Sequence, residues 1–177
     1  YVYGGQFFGD ADITAAMDTW YANGTEVVFA CGGGIYTSAV DAAKKVNAKV
    51  IGVDVDQAGV IANYAGVEGM TVTSAMKGLY PATYDTLSDV ILNGNWAAYA
   101  GKIATLGLVS GDDPTLNYVQ IPMDSTQFED GKFTQDDYKA MVAAMFSGEL
   151  TVSNDISKAA SDFATVITVD DQGAIKG

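Results

Sequence analysis

The chain has no histidine and no arginine, and its nine basic residues are all lysines. Set against 22 Asp and Glu they leave a formal charge of −13. A nucleic-acid binder needs a cationic stripe to meet phosphates, and none can be assembled from this inventory. An anionic membrane surface is excluded as a partner on the same ground. Without arginine the chain lacks the usual bidentate captor of phosphate or carboxylate, so any site it builds is expected to favour a neutral or weakly polar ligand. Without histidine it lacks the commonest general base. The single cysteine, Cys31, forbids an internal disulfide. It follows Val27-Val28-Phe29-Ala30 and has no histidine to activate it, so it reads as a small buried hydrophobe rather than a nucleophile. Long apolar runs are missing too: the longest, such as Val27 to Cys31, fall far short of the roughly 20 residues of a membrane-spanning helix. No signal peptide is expected within these residues. Tyr1-Val2-Tyr3 reads as a strand end, which leads us to expect a piece of a longer polypeptide.

What is present is a globular composition, 49% hydrophobic and 18% charged over 177 residues. That suffices for one domain with a proper core. Ile13, Ala16, Met17, Trp20 and Tyr21 recur at helical spacing, so residues 12–22 are expected to form an amphipathic helix that stops at Asn23-Gly24. Glu26–Cys31, Lys49–Val53 and Thr71–Met76 are short, β-rich apolar runs of the kind found in buried parallel strands. Between them lie a helix over 37–46 and a shorter helical segment over 59–64. Pro81 suits a helix first turn, with Thr83, Leu87, Val90 and Ile91 carrying that helix to Asn93-Gly94. Lys102–Leu108, Leu116–Ile121 and Ala164–Val169 are three further strand candidates. Thr134, with Asp137 three residues on, is a capping-box start for a helix ending at Ser147-Gly148. There are no internal repeats and no linker. Strands alternating with helices of about ten residues predict an α/β fold: a Rossmann-like, mainly parallel sheet with helices on both faces.

In such sheets ligands bind beyond the carboxyl ends of the strands. Four segments then converge: Gly5–Phe8, Gly32–Tyr36, Asp54–Gln57 and Lys77. The candidate ligand-binding residues are Phe7, Phe8, Gly33, Tyr36, Asp54 and Lys77. Phe7 and Phe8 are adjacent aromatics in a glycine-rich loop, one for the core and one for stacking on a flat ligand. Gly32-Gly33-Gly34 matches neither the dinucleotide fingerprint nor the phosphate-binding loop with its lysine, and reads as a tight turn that lets a ligand approach the backbone. Asp54 and Asp56 share a face of an extended segment. With no nucleophile and too few oxygen donors for a metal, Asp54 is expected to accept hydrogen bonds from ligand hydroxyls, and Asp56 to be a solvated turn residue. Lys77 is either a plain surface lysine, a donor to the ligand, or an ion-pair partner that holds Asp54. No catalytic pair, metal site or cofactor is expected, and the chain is not read as an enzyme.

The run Val-Val-Phe-Ala-Cys-Gly-Gly-Gly at 27–34, followed by a helix and by Val-Ile-Gly-Val-Asp-Val-Asp-Gln at 50–57, resembles the basic membrane protein family of substrate-binding lipoproteins, the purine nucleoside receptors of ABC transporters. Thr73-Ser74-Ala75-Met76-Lys77 is similar to that family's next motif, and Phe133–Ser153 to a late one. The resemblance implies a type I periplasmic-binding-protein fold: two α/β lobes, a hinge of crossing strands, and a ligand trapped between the lobes. It implies that Phe7 stacks on a base, Gly33 offers backbone, Asp54 binds ribose hydroxyls and Lys77 binds ribose or base. The family usually has a polar residue where Phe8 stands. It further implies that residues 1–76 belong to the second lobe, that 77–121 return to the first, and that 122–177 complete the second, most of the first lobe being missing. The implied setting is extracytoplasmic. A lipid anchor on the missing amino terminus would provide the membrane attachment, and an ABC permease and a neutral nucleoside would be the partners. A flavin receptor such as one for riboflavin, a Rossmann-like nucleoside or sugar enzyme, and a regulatory ligand-sensing domain are the alternatives.

Overall fold

The computed structural model describes residues 1–176. Its centre is a four-stranded sheet in the order β1 (Val27–Phe29), β2 (Lys49–Asp54), β3 (Thr71–Lys77) and β4 (Val119–Gln120). The first three strands are parallel and β4 runs antiparallel to β3, pairing Lys77 with Val119. Helices α2 (Tyr36–Val46) and α3 (Ala58–Ala65) make the crossovers that parallel pairing requires, and α1 (Ala11–Ala22) leads into β1. The α/β, mainly parallel architecture is therefore as the sequence pattern predicts. Among the described residues no helix is long and apolar enough to cross a membrane.

The core lies where α1 and α2 meet the sheet. Val40 of α2, Val50 of β2 and Ile61 of α3 are each 0% exposed. Burial of that kind is worth about 1.5–3 kcal/mol per side chain. Small residues on α2 (Ala39, Ala42, Ala43) let that helix seat closely, while Met17 and Tyr21 of α1 close over it. Tyr21 keeps its polar end satisfied by donating to the Lys49 carbonyl at 2.7 Å. Burial drives its phenol up to about 12. Helix starts and stops follow local chemistry. Asp10 accepts from the Ile13 amide at the start of α1. Asn47 and Gly66, both left-handed, end α2 and α3.

Beyond β3 the chain forms α4 (Leu79–Leu87), a wider π turn over Ser88–Leu92, and the short α5 (Trp96–Tyr99), so the helix expected through Ile91 changes type at Ser88. The strand expected over Lys102–Leu108 does not form, and the one over Leu116–Ile121 shrinks to β4. Buried Asn117 shapes the bend that follows the first of these segments. Its Oδ1 accepts from the Val109 and Ser110 amides at 2.7 and 2.8 Å, and its amide donates to the Ser110 carbonyl at 3.0 Å. The backbone groups of Val109 and Ser110 are thus taken by a side chain, and the chain turns there. α6 (Gln135–Ser147) begins with the capping box expected at Thr134 and Asp137 and ends at left-handed Gly148. Ala164–Val169 forms no strand. The tail pairs one step later instead, through a parallel bridge from Tyr3 to Ala174.

Candidate functional site

β2 and β3 end nearly level, with Asp54 opposite Met76, while β1 ends earlier, Phe29 lying opposite Ile51. The loop after β1 and the residues that end β2 and β3 therefore share one edge. The Gly4–Asp10 loop is drawn to the same edge from outside the sheet. The Gly34 amide donates to the Phe7 carbonyl at 2.9 Å, and Phe8 bridges Gly34 in parallel fashion. Buried Ser38 anchors the far end of that loop: its hydroxyl accepts from the Asp10 amide at 2.9 Å and donates to the Asp10 carbonyl at 3.0 Å. Gly9 must be glycine here, since a Cβ would lie 2.2 Å from Thr37 Oγ1.

Phe7 and Phe8 are 78% and 63% exposed, so both rings stand in solvent, where the sequence reading had placed one of them in the core. Two adjacent bare aromatics on a tied-down loop form a stacking surface rather than scattered surface apolarity. Gly33, at φ +49°, adopts a left-handed conformation suited to glycine and gives the loop its turn. Tyr36 opens α2 half-buried, with its ring meeting Tyr64 edge-on at 6.0 Å, and Tyr64 in turn donates to Asp41. The structure thus sets Tyr36 in a tyrosine pair on the helices that flank the loop.

Asp54 ends β2 at φ +69°, where the Val55 amide donates back to the Val53 carbonyl at 2.8 Å. This is a tight γ-turn centred on a non-glycine residue, a conformation that costs on the order of 1–3 kcal/mol and persists only where its surroundings impose it. Lys77 Nζ lies 2.6 Å from Asp54 Oδ1, with the two side chains 64% and 32% exposed. Oδ1 itself is sealed from solvent and has no partner at hydrogen-bonding angles, so the contact is an ion pair rather than a directed hydrogen bond. The short contact with the carboxylate, and behind it the Asp54 charge, raises the Lys77 ammonium above its ordinary value. At this exposure the pair adds only about 0–1 kcal/mol to stability. Its effect is to aim the carboxylate.

Two features escaped the sequence reading. Cys31 is exposed, not buried. The strand ends at Phe29, and a tight turn, with the Cys31 amide donating to the Phe29 carbonyl and the Gly32 amide to that of Ala30, rotates the thiol outward at the same edge. Gln57 is the other: its side chain is buried beneath the site. Its Oε1 accepts from the Val53 amide at 2.9 Å, its amide donates to the Gly33 carbonyl at 3.3 Å, and its own backbone N–H donates to Ser74 Oγ at 3.0 Å. One residue thereby joins all three strand ends. Gly52 makes room for it, since a Cβ there would sit 2.7 Å from Ser74 Oγ and 2.8 Å from Gln57 Cβ. The signal was in the sequence, as an amide directly after the second loop aspartate and a glycine inside a β-branched strand.

A rigid glycine turn, paired aromatics, an aimed carboxylate and a lysine at the open edge of a parallel sheet define an α/β lobe of the kind that holds small molecules. The chain belongs to the Bmp family, the ABC transporter substrate-binding proteins described as PnrA-like, whose model matches residues 1–144. It is thus a substrate-binding component of an ABC transporter, from a family whose members are extracytoplasmic and bind solutes rather than transform them. No curated protein matches the chain significantly.

Proposed function

We propose that this chain captures a neutral nucleoside, purine by preference, for delivery to its permease. Asp54 carries the reading. A carboxylate held in a strained turn, with Oδ1 steadied by Lys77, suits ligand hydroxyls of the ribose type. Phe7, with Phe8 beside it, provides the face for a flat base, Gly33 offers backbone, and Lys77 meets a base or ribose heteroatom while steadying Asp54. The chain's acidity and its lack of arginine favour the uncharged nucleoside over its phosphates.

In this reading residues 1–76 and 122–177 form one lobe and 77–121 return to a second. The exposed apolar residues of the returning segment, such as Leu79, Ile91 and Ile103, support that division, because a second lobe would cover them. A lipid anchor on that lobe would hold the receptor at the outer face of the membrane.

Calorimetric titration with purine nucleosides, with riboflavin and free ribose as controls, tests the proposal. It should be run on this chain and on the chain extended by an amino-terminal lobe. The expected result is saturable nucleoside binding that is tighter in the extended form and lost with Asp54→Ala. Binding of riboflavin or ribose in place of nucleosides would discard the ligand and keep the fold.

A further inference from the structure

The loop that carries Phe7 and Phe8 also closes on itself through side chains. Gln6 Nε2 donates to the Phe8 carbonyl at 2.9 Å and to Asp10 Oδ2 at 2.7 Å. Gln6 and Asp10 flank the aromatic pair, so this one amide ties both ends of the loop to the backbone of Phe8. The other carboxylate oxygen of Asp10 is committed to α1, where Oδ1 accepts from the Ile13 amide at 3.0 Å. A cation completes the arrangement. Lys176 Nζ pairs with Asp10 Oδ2 and donates to Gln6 Oε1 at 3.2 Å. That lysine comes from the far end of the chain, 166 residues from Asp10.

The tail is fastened before it reaches the loop. The Tyr3 amide donates to the Gly173 carbonyl at 2.8 Å and the Ile175 amide to the Tyr3 carbonyl at 2.9 Å. Ile175 packs against the core. Lys176 therefore starts from a fixed point, and its stem lies against the loop: a Cβ on Gly5 would meet Lys176 Cβ at 3.4 Å. Its pair with Asp10 is the most enclosed ion pair among the described residues, at 35% and 26% side-chain exposure against 57% and 39% for Lys45 and Asp18. An enclosed pair is screened less by salt than a surface one. Lys176 also lies beyond the residues that the family model matches.

We propose that Lys176 is a positioning residue for the aromatic face of the binding site, acting through Asp10 and Gln6 on the backbone of Phe8. The two rings stand in solvent, so the backbone beneath them sets their aim. An amide side chain can present either end to a neighbour. Lys176 donates to Gln6 Oε1, and this turns Nε2 toward the Phe8 carbonyl. Without the ammonium Gln6 is free to rotate, and the Phe8 carbonyl is left to water. A stacking face that must be ordered when the ligand arrives binds it less well than one already ordered. The inference rests on the proposed function in taking Phe7 and Phe8 as ligand contacts.

Lys176→Met keeps the stem and removes the ammonium, whereas Lys176→Arg keeps the charge and the donors. Asp10 retains its bonds to Ile13 and Ser38 in both, so both should fold. The first readout needs no ligand. The Gly34 amide donates to the Phe7 carbonyl, and its hydrogen exchange, followed by NMR, reports opening of the loop. Exchange at Gly34 should rise about threefold or more in Lys176→Met and return to the parent rate in Lys176→Arg. It should stay at the parent rate in Lys45→Met, which breaks the Asp18 ion pair further along α1 with the same change in net charge. The second readout is calorimetric titration with adenosine, whose affinity should fall about three- to tenfold in Lys176→Met and recover with arginine. Unchanged exchange in Lys176→Met overturns the proposal, and so does an equal rise in Lys45→Met. Faster exchange with undiminished adenosine affinity overturns it too, since the ligand would then not use the loop that Lys176 orders. If the parent binds no adenosine, the proposed ligand fails, while exchange at Gly34 still decides whether Lys176 positions the loop.

Discussion

Replacing Gln57 by leucine removes an amide while nearly preserving volume, so its consequences follow from hydrogen bonds rather than from a cavity. The Val53 N–H loses its 2.9 Å acceptor inside the protein, Gln57 being 6% exposed. A buried donor left unpaired costs about 1–3 kcal/mol. The Gly33 carbonyl loses a longer bond of 3.3 Å on a half-exposed loop, where water takes over at little cost. The backbone bond from Gln57 to Ser74 survives. The expected loss is therefore about 2 kcal/mol. For a chain of this size that is a fall in Tm of roughly 4–8 °C, or about 1 M in urea midpoint at a slope near 2 kcal/mol/M. Urea unfolding followed by far-UV circular dichroism, with the slope compared between variant and parent, measures it. A midpoint within about 0.2 M of the parent at unchanged slope would refute the assignment of Gln57 as the tie between the strand ends. Under the proposed function nucleoside affinity should fall alongside, because Gly33 is the loop residue that Gln57 holds. An affinity loss with no stability loss would instead make Gln57 a direct ligand contact.

The γ-turn at Asp54 predicts that Asp54→Gly is more stable than Asp54→Ala by about 1 kcal/mol, read from thermal unfolding, because only glycine adopts a positive φ without strain; equal stabilities would remove the argument that the turn stores strain. Asp10 is held down to about 2, first by the Ile13 amide and then by Lys176, from an ordinary 3.8. A depressed carboxylate stabilises fully above its unfolded value, so the contribution is complete above pH ~4. It disappears as the pH falls through about 2, and Asp10→Asn should flatten that part of an acid-unfolding profile. Cys31 should react with a maleimide in the native protein about as fast as a free thiol, since it is exposed. Protection by saturating nucleoside is expected under the proposed function; an unreactive native thiol would contradict the described turn.

The parallel sheet was legible because buried strands and their crossover helices have periods of their own: Val50, Val53 and Ile61 sit where a reading of apolar spacing puts them. The candidate edge was legible because strand ends are also sequence breaks, so Gly32–Gly34, Asp54 and Lys77 marked themselves. What failed was set by long-range contacts. The pattern of 102–108 supports a strand that does not form, and the chain just beyond it is turned by Asn117, which takes the amides of Val109 and Ser110. Ala164–Val169 has strand propensity but joins no ladder, whereas the less regular tail beyond it finds Tyr3. Cys31 was misplaced by two residues of strand. The run of β-branched residues continues the pattern to Ala30, but the glycines behind it end the ladder at Phe29.

Strain and restraint in this site are distributed unevenly, and that bears on how a receptor of this kind works. The floor is over-determined: Gly52, Gln57 and Ser74 pack so tightly that a single methyl group at position 52 would collide with two side chains. Such a floor is what imposes the positive φ of Asp54, since an isolated chain would relax it. The walls are the opposite. Phe7, Phe8 and Lys77 are exposed, and their order comes from the backbone bond at Gly34 and one surface ion pair. A carboxylate already aimed loses little entropy when ligand arrives, whereas bare aromatics gain most of their burial at that moment. Under the proposed function, polar recognition is then preorganised in the lobe, and apolar affinity is deferred until something closes over the rings. A ligand held by Asp54 alone would be selected weakly and released fast; the same ligand with Phe7 and Phe8 covered would be retained. Closure, rather than first contact, then sets the residence time.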